Sequence, residues 1–297
     1  VPQTIRRAVI PAAGLGSRLL PLTKATPKEM LPVGAAPVIE HTVRELVDSG
    51  ITDITIVVSG NKTLIQQHFQ PDPVLAAQLR ADGKEDQARA VEEITDLARR
   101  GHITYLHQYG PYGNGTPVLV AARSFGDEPV LVLWPDDVFV STVPRAQQLI
   151  DAHQATGAPV LALMPMDPAE SHRYGVPVVD HDHGDGLLRI TGLMEKPKPE
   201  DAPSHYAAIG GYVITAGIVD ELRRITDRWH EHQQGEVYLT AAINTYAAHH
   251  PTYGKVIDGT WYDTGTPADY LRAQFAHALA HPDYGPLLRA MASPAGN

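Results

Sequence analysis

AVIPAAGLGSRLLPLTKATPKEML, running from Ala8 to Leu31, decides how the rest of the chain is read. Ala8-Val9-Ile10 is a short apolar run that suits a buried strand, and Pro11 is expected to end it. Gly14 and Gly16 carry no Cβ, so the backbone of Ala13-Gly14-Leu15-Gly16 can come close to a ligand. N–H groups in such a loop can converge on anionic oxygens. Arg18 adds a permanent, forked positive charge suited to phosphate, and Lys28, after Pro27, adds a compact second charge. These are the requirements of a polyphosphate site. A lone G-x-G is also an ordinary tight turn, and spacing alone leaves both readings open. The third glycine of a G-x-G-x-x-G dinucleotide fingerprint is missing, and no G-x-x-x-x-G-K-[ST] loop is present.

Beyond this stretch, strand and helix patterns alternate. Ala35 to Ser49 has apolar residues at helical spacing (Ile39, Val43, Leu46, Val47), with Pro37 in its first turn and Gly50 past its end. Ile54, Ile56 and Val58 alternate as a strand, completing a β-α-β unit with a right-handed crossover. The glycine loop is thereby placed at the C-terminal end of a sheet strand, where open α/β sheets bind ligands. Asn61 to Phe69 reads as a helix. Residues 71–100 read as a polar helical insertion, most simply a solvated excursion and alternatively a lid or a subunit contact. Residues 103–107 form a strand that leads into Gln108-Tyr109-Gly110-Pro111-Tyr112-Gly113, a second glycine-rich loop. The Gln108 amide can both donate to and accept from a nucleobase edge. Pro129 to Leu133 is an apolar strand ending in Trp134-Pro135-Asp136-Asp137. A carboxylate just past a buried strand suits magnesium, whereas Asp137 could equally cap a helix. Further strands are expected at residues 159–164, 187–193 and 207–213, a helix at 143–155, and a closing helix from Pro267.

Composition narrows the function classes. The 297 residues include no cysteine, so disulfide and thiolate chemistry are excluded. A net charge of −10 opposes nonspecific nucleic-acid binding, so an anionic substrate must be met by a local cationic pocket. No apolar run is long enough to span a bilayer, and no membrane association is expected. Val1-Pro2-Gln3-Thr4 lacks a charged start followed by an apolar core, so cytoplasmic residence is expected. The 15 histidines are scattered, and no H-E-x-x-H spacing supports zinc.

The G-x-G-x-R string followed by Pro27-Lys28-Glu29-Met30-Leu31-Pro32 resembles the signature of the sugar-1-phosphate nucleotidyltransferases, and is most similar to the bacterial UTP–glucose-1-phosphate uridylyltransferases. The likeness continues through Tyr174-Gly175-Val176, Met194-Glu195-Lys196-Pro197-Lys198, Gly235-Glu236-Val237-Tyr238-Leu239-Thr240 and Asp263-Thr264-Gly265. It implies an α/β fold, Rossmann-like, with a mixed, mostly parallel central sheet flanked by helices. It implies one domain over 1–297, with the insertion at 71–100 and the closing helix at 267–280. By the same resemblance Arg18, Lys28 and Lys196 are catalytic, and Ala13, Gly14, Gly16, Gln108 and Gly113 hold the nucleotide. Gly175, Glu195 and Gly210 face the sugar, and Asp136 and Asp263 carry Mg2+. The implied partners are a nucleoside triphosphate, a sugar-1-phosphate and further copies of the chain.

Four positions depart from the family pattern. Tyr112 stands for its usual Lys, Thr116 for His, Gly211 for Arg and Ala241 for Asp. Tyr112 and Thr116 leave the choice of base open, and Gly211 and Ala241, expected around the sugar pocket, keep a different hexose or cyclitol phosphate in play. A non-catalytic sugar-nucleotide sensor is a second alternative. A Rossmann dehydrogenase is disfavoured by the missing glycine.

Overall fold

The structure is a computed structural model describing residues 4–60, 62–232 and 235–292. The chain opens with β1 (Arg7–Ala12), the short hairpin strands β2 (Pro32–Val33) and β3 (Ala36–Pro37), α1 (Val38–Asp48) and β4 (Asp53–Val58). Helices α2 (Thr63–Phe69), α3 (Pro73–Ala81) and α4 (Glu85–Arg100) precede β5 (Thr104–His107). Next come α5 (Thr116–Phe125), β6 (Val130–Leu133), β7 (Asp137–Val140), α6 (Arg145–Thr156) and β8 (Val160–Pro165). The long strands β9 (Gly175–Asp182), β10 (Leu187–Glu195) and β11 (Tyr206–Ile214) follow, then α7 (Ala216–His232) and α8 (Leu239–Ala247). Strands β12 (Thr252–Val256) and β13 (Thr260–Asp263) and helices α9 (Pro267–Ala280) and α10 (Tyr284–Ala292) complete the described chain.

One nine-stranded sheet runs in the order β5-β4-β1-β6-β11-β8-β12-β10-β9. Successive residues of β1 point to opposite faces, as strand geometry requires. Ala8, Ile10 and Ala12 join a core with Ile39 and Leu46 of α1. Val9 joins a second core with Val118 of α5 and Ile218 of α7. Each fully buried Val, Leu or Ile contributes roughly 1.5–3 kcal/mol, so both faces of the sheet are anchored.

The sheet is mixed, as expected, but not mostly parallel: parallel and antiparallel neighbours are equal in number. β5, β4, β1 and β6 are parallel neighbours, and β8 and β12 pair likewise. The remaining neighbours, β6–β11, β11–β8, β12–β10 and β10–β9, are antiparallel. Two strands are the reason: relative to β1 only β11 and β10 run backwards, while β8, β12 and β9 keep the direction of β1. Strand β1 also continues through Pro11 instead of ending there. Pro11 lies beyond the residues that pair with β6, which are Ala8 and Val9, so its missing N–H costs that ladder nothing.

Other boundaries shift for local reasons. Helix α1 starts at Val38, because Ala36 and Pro37 pair with Pro32 and Val33 around Gly34. Asp137 caps no helix; it begins β7, which pairs with β13. The 71–100 segment is a polar helical hairpin whose second helix rests on α1 and α2. Its Arg80–Glu92 pair lies in solvent. Asn61, the first residue of the expected second helix, lies outside the described residues. No helix among the described residues is long and apolar enough to cross a membrane.

Candidate active site

The C-terminal ends of β1 and β6 open into a cavity of about 630 Å³. Ala13, Gly14, Arg18 and Lys28 reach it from the β1 side, and Gln108 and Gly113 from the loop after β5. Asp136 enters from the end of β6, Gly175, Glu195 and Lys196 from the β9–β10 ladder, Gly210 from β11, and Asp263 from β13. Residues far apart in the chain are thus assembled around one space, in the crevice outside the carboxyl ends of the strands where open α/β sheets bind ligands. Of the expected residues, only Gly16 does not line it. Gly16 has φ 66° and begins the turn Ser17–Leu19, and its carbonyl accepts a bond from Thr23 Oγ1 at 2.8 Å. Its missing Cβ serves that left-handed turn, so Gly16 shapes the loop without lining the cavity.

Two other glycines line the cavity but answer to a protein neighbour. A Cβ on Gly113 would strike the Val237 backbone. That contact belongs to a zipper in which Val237 N–H donates to Tyr112 O and Gly115 N–H to Val237 O, both at 2.9 Å. Asn114 Oδ1 accepts from Leu239 N–H at 2.8 Å in the same place. A Cβ on Gly210 would strike the Asp137 carboxylate, which accepts the Gly210 N–H at 3.0 Å.

The acidic corner holds three carboxyl groups with different tasks. Lys28 Nζ donates to Asp136 Oδ2 at 2.6 Å. Burial disfavours the Asp136 carboxylate, yet Lys28 and Arg18 hold its pKa below the usual range. Burial and the neighbouring Asp136 push the Asp263 carboxyl up. Asp137 is pushed up to about 7 by burial, Asp136 and Asp263. Its oxygens are occupied by Gly210 N–H and by Trp261 Nε1 at 2.6 Å, so it braces β11 against β13. The point where a Gly265 Cβ would stand lies 2.9 Å from Asp263 Oδ1 and 3.0 Å from Asp136 Oδ2, with Arg18 Nη2 at 3.6 Å. The two carboxylates therefore approach each other beside Gly265, and two mutually repelling hard-oxygen groups at one edge of the cavity suit a divalent cation. Among the described residues no cluster of three or more metal-ligating side chains exists. A cation there would therefore draw its remaining ligands from water and substrate phosphate, as magnesium does.

On the opposite wall, Glu195 is paired in register with Gly175, and Lys196 N–H donates to Tyr174 O at 2.9 Å. Lys196 has φ 47°, a left-handed conformation that costs a residue with a Cβ roughly 1–3 kcal/mol and concentrates at functional positions. Its ammonium lies 3.7 Å from Glu195 Oε1 and 5.9 Å from the Tyr238 ring centroid. The buried Thr240 hydroxyl, also on this wall, has no hydrogen-bond partner among the described residues.

Two charged residues at or behind the site carried no signal in the sequence. Arg173 precedes the Tyr174-Gly175-Val176 run, and its Nη2 contacts Asp263 Oδ2 at 3.1 Å and Asp269 Oδ2 at 3.3 Å. Arg145 is fully buried, pairs with Glu45 at 2.8 Å and donates to Gly210 O at 2.9 Å. Only partners distant in sequence reveal either task. Three of the four departures also fall away from the cavity wall. Gly211 faces Arg145 and Leu149, the Thr116 hydroxyl donates to Pro111 O at 2.7 Å, and Ala241 is exposed on α8. Only Tyr112 lines the cavity, so Gly211 and Ala241 do not stand at the sugar side, where they were expected.

Comparison with known proteins agrees with this geometry. The family described as Nucleotidyl transferase matches residues 7–278. A UTP–glucose-1-phosphate uridylyltransferase of Bacillus subtilis is 37% identical over 279 residues, which is 94% of this chain and 91% of that protein. The UTP-bound UGPase of Acinetobacter baumannii superposes with a TM-score of 0.87 at 28% identity, covering 97% of this chain and 98% of that one. A UDP-glucose pyrophosphorylase complexed with UDP-glucose superposes with a TM-score of 0.81 at 28% identity, covering 92% and 98%. With its motifs gathered on one cleft and its length matched throughout, the chain belongs to the nucleotidyl transferase family.

Proposed function

We propose that the protein transfers the uridylyl group of UTP to glucose-1-phosphate, giving UDP-glucose and pyrophosphate. The observation that carries this reading is the convergence of Arg18, Lys28, Lys196, Asp136 and Asp263 on one cavity. The relatives' substrates support the choice of UTP and glucose-1-phosphate. A phosphate oxygen of the sugar phosphate attacks the α-phosphorus of UTP in line. A P–O bond forms there as the bond to the β-phosphate oxygen breaks. Such a reaction needs positioning and charge neutralisation more than a protein nucleophile.

In this mechanism Ala13, Gly14, Gln108 and Gly113 hold the nucleotide, and Gly175, Glu195 and Gly210 the sugar. Arg18 and Lys28 neutralise the departing pyrophosphate and the α-phosphate. Lys196 holds the attacking phosphate against its own charge repulsion. Asp136 and Asp263 would hold Mg2+, which supplies further neutralisation of phosphate oxygens when bound. On this reading residues 1–297 work as one domain, with 71–100 as an insertion and 267–280 as its closing helix. Cytoplasmic residence belongs to the same proposal, since nucleoside triphosphates are found there. So does self-association, supported by exposed Leu271, Phe275, Leu287 and Met291 on α9 and α10.

The test is a screen of UTP, ATP, GTP and dTTP against hexose and cyclitol phosphates, followed by pyrophosphate release with and without magnesium. The expected result is release that requires UTP, glucose-1-phosphate and the metal together. Binding of UDP-glucose without turnover would identify a sensor, and turnover with another pair would reassign the substrate.

A further inference from the structure

Lys62 stands just after β4, and its side chain does not line the cavity. Its ammonium donates to Ala12 O at 2.6 Å and to Gly14 O at 2.7 Å. It also grips both oxygens of the fully buried Glu29, each at 2.9 Å. An ammonium has three protons, and all three are spent on these partners, so none is left for substrate. Ser59 Oγ adds a bond to Ala13 O at 2.6 Å. Three consecutive carbonyls, those of residues 12, 13 and 14, are thereby held by side chains that follow β4.

The consequence appears on the loop's other side. Among the described residues, the N–H groups of Gly14, Leu15 and Gly16 donate no hydrogen bond. Lys28 Nζ lies 3.9 Å from where a Gly14 Cβ would be, so the loop is held between Lys28 in front and Lys62 behind. Glu29 and Lys28 share one short turn, Lys28–Met30. By gripping Glu29, Lys62 therefore sets the position of Lys28 relative to the loop as well. A loop carbonyl turned toward a polyphosphate would repel it, whereas an N–H attracts it.

We infer that Lys62 is a positioning residue that presets the glycine loop for anions. It pulls the loop carbonyls back and registers Lys28 against them without touching the nucleotide. The inference rests on the reading of this loop as the triphosphate site.

The test uses Lys62→Met, Glu29→Gln and the double variant Lys62→Met/Glu29→Gln, which leaves no buried charge unpaired. UTP affinity is measured by titration calorimetry, the glucose-1-phosphate KM by turnover, and folding by thermal melting. The double variant is expected to melt near wild type yet bind UTP at least about tenfold more weakly, as loss of hydrogen bonds from a charged donor implies. Its glucose-1-phosphate KM should stay within about threefold of wild type, because the sugar wall is built by other elements. Recovery of UTP affinity together with the melting point would show the pair to be only structural, and the inference would fall alone. Wild-type protein that binds no UTP would remove both this inference and the substrate reading. Ser59→Ala perturbs the same carbonyl row with no charge stranded, and should weaken UTP binding by roughly two- to fivefold. Unchanged UTP affinity in Ser59→Ala would count against the preset loop even if the Lys62 variants fail to fold.

Discussion

Cutting the Lys28–Asp136 pair from its two ends should cost unequal amounts of stability. The pair is 2.6 Å long and each side chain is 17% exposed. Removing one member of a buried pair typically costs about 3–5 kcal/mol, because the other is stranded. Lys28→Met strands Asp136 beside Asp137 and Asp263, both of which it already repels. Asp136→Asn instead removes one of three crowded carboxylates, and Lys28 keeps the attraction of Glu29. Relief of that repulsion offsets much of the loss. Lys28→Met should therefore be the less stable variant, by roughly 2 kcal/mol, or about 4 °C in Tm for a chain of this size. Both variants should lose pyrophosphate release by at least about tenfold, equivalent to ~1.4 kcal/mol of barrier. Thermal melting in chelator, with turnover measured in magnesium, reads both quantities. Equal destabilisation, or a larger loss for Asp136→Asn, would refute the account of three competing carboxyl groups.

Arg18→Ala and Lys196→Ala should each lower turnover by at least about tenfold without comparable loss of melting temperature, as neither charge is buried. Near-wild-type pyrophosphate release by either would remove that residue from the mechanism. Arg173→Ala frees Asp263 Oδ2 and should raise the magnesium concentration for half-maximal rate by several-fold, about 3–10 by analogy with other groups that orient ligands; an unchanged magnesium profile would deny Arg173 that task. Burial works against the Glu40 carboxylate, but hydrogen bonds from His68 and Arg44 lower its pKa below the ordinary 4.5. The stability it contributes is therefore present above pH 4.5 and lost as pH falls through its folded pKa. Denaturant titrations of wild type and Glu40→Gln should differ near neutrality and converge in acid, and a gap independent of pH would contradict the linkage.

Some parts of the site were legible because their chemistry is local. The glycines after β1, the basic Arg18 and Lys28, and carboxylates just beyond strand ends report themselves within a few residues. Other parts depend on groups brought close only by folding. Gly113 borders the cavity as its loop suggested, but its close packing on Val237, more than a hundred positions away, has no sequence signal. Ala241 and Gly211 looked like pocket residues, and strand alternation and helix facing turned both away from the cavity.

From the chain alone come the two-residue and 3.6-residue periodicities, the turn chemistry and the charges at strand ends, all set by covalent neighbours. Only tertiary structure decides which strands lie side by side, that β11 and β10 run against the others, and that Lys62 and Arg173 brace groups far along the chain. The physical reason is that strand pairing and ion pairing are contacts through space, and their partners carry no fixed spacing in sequence.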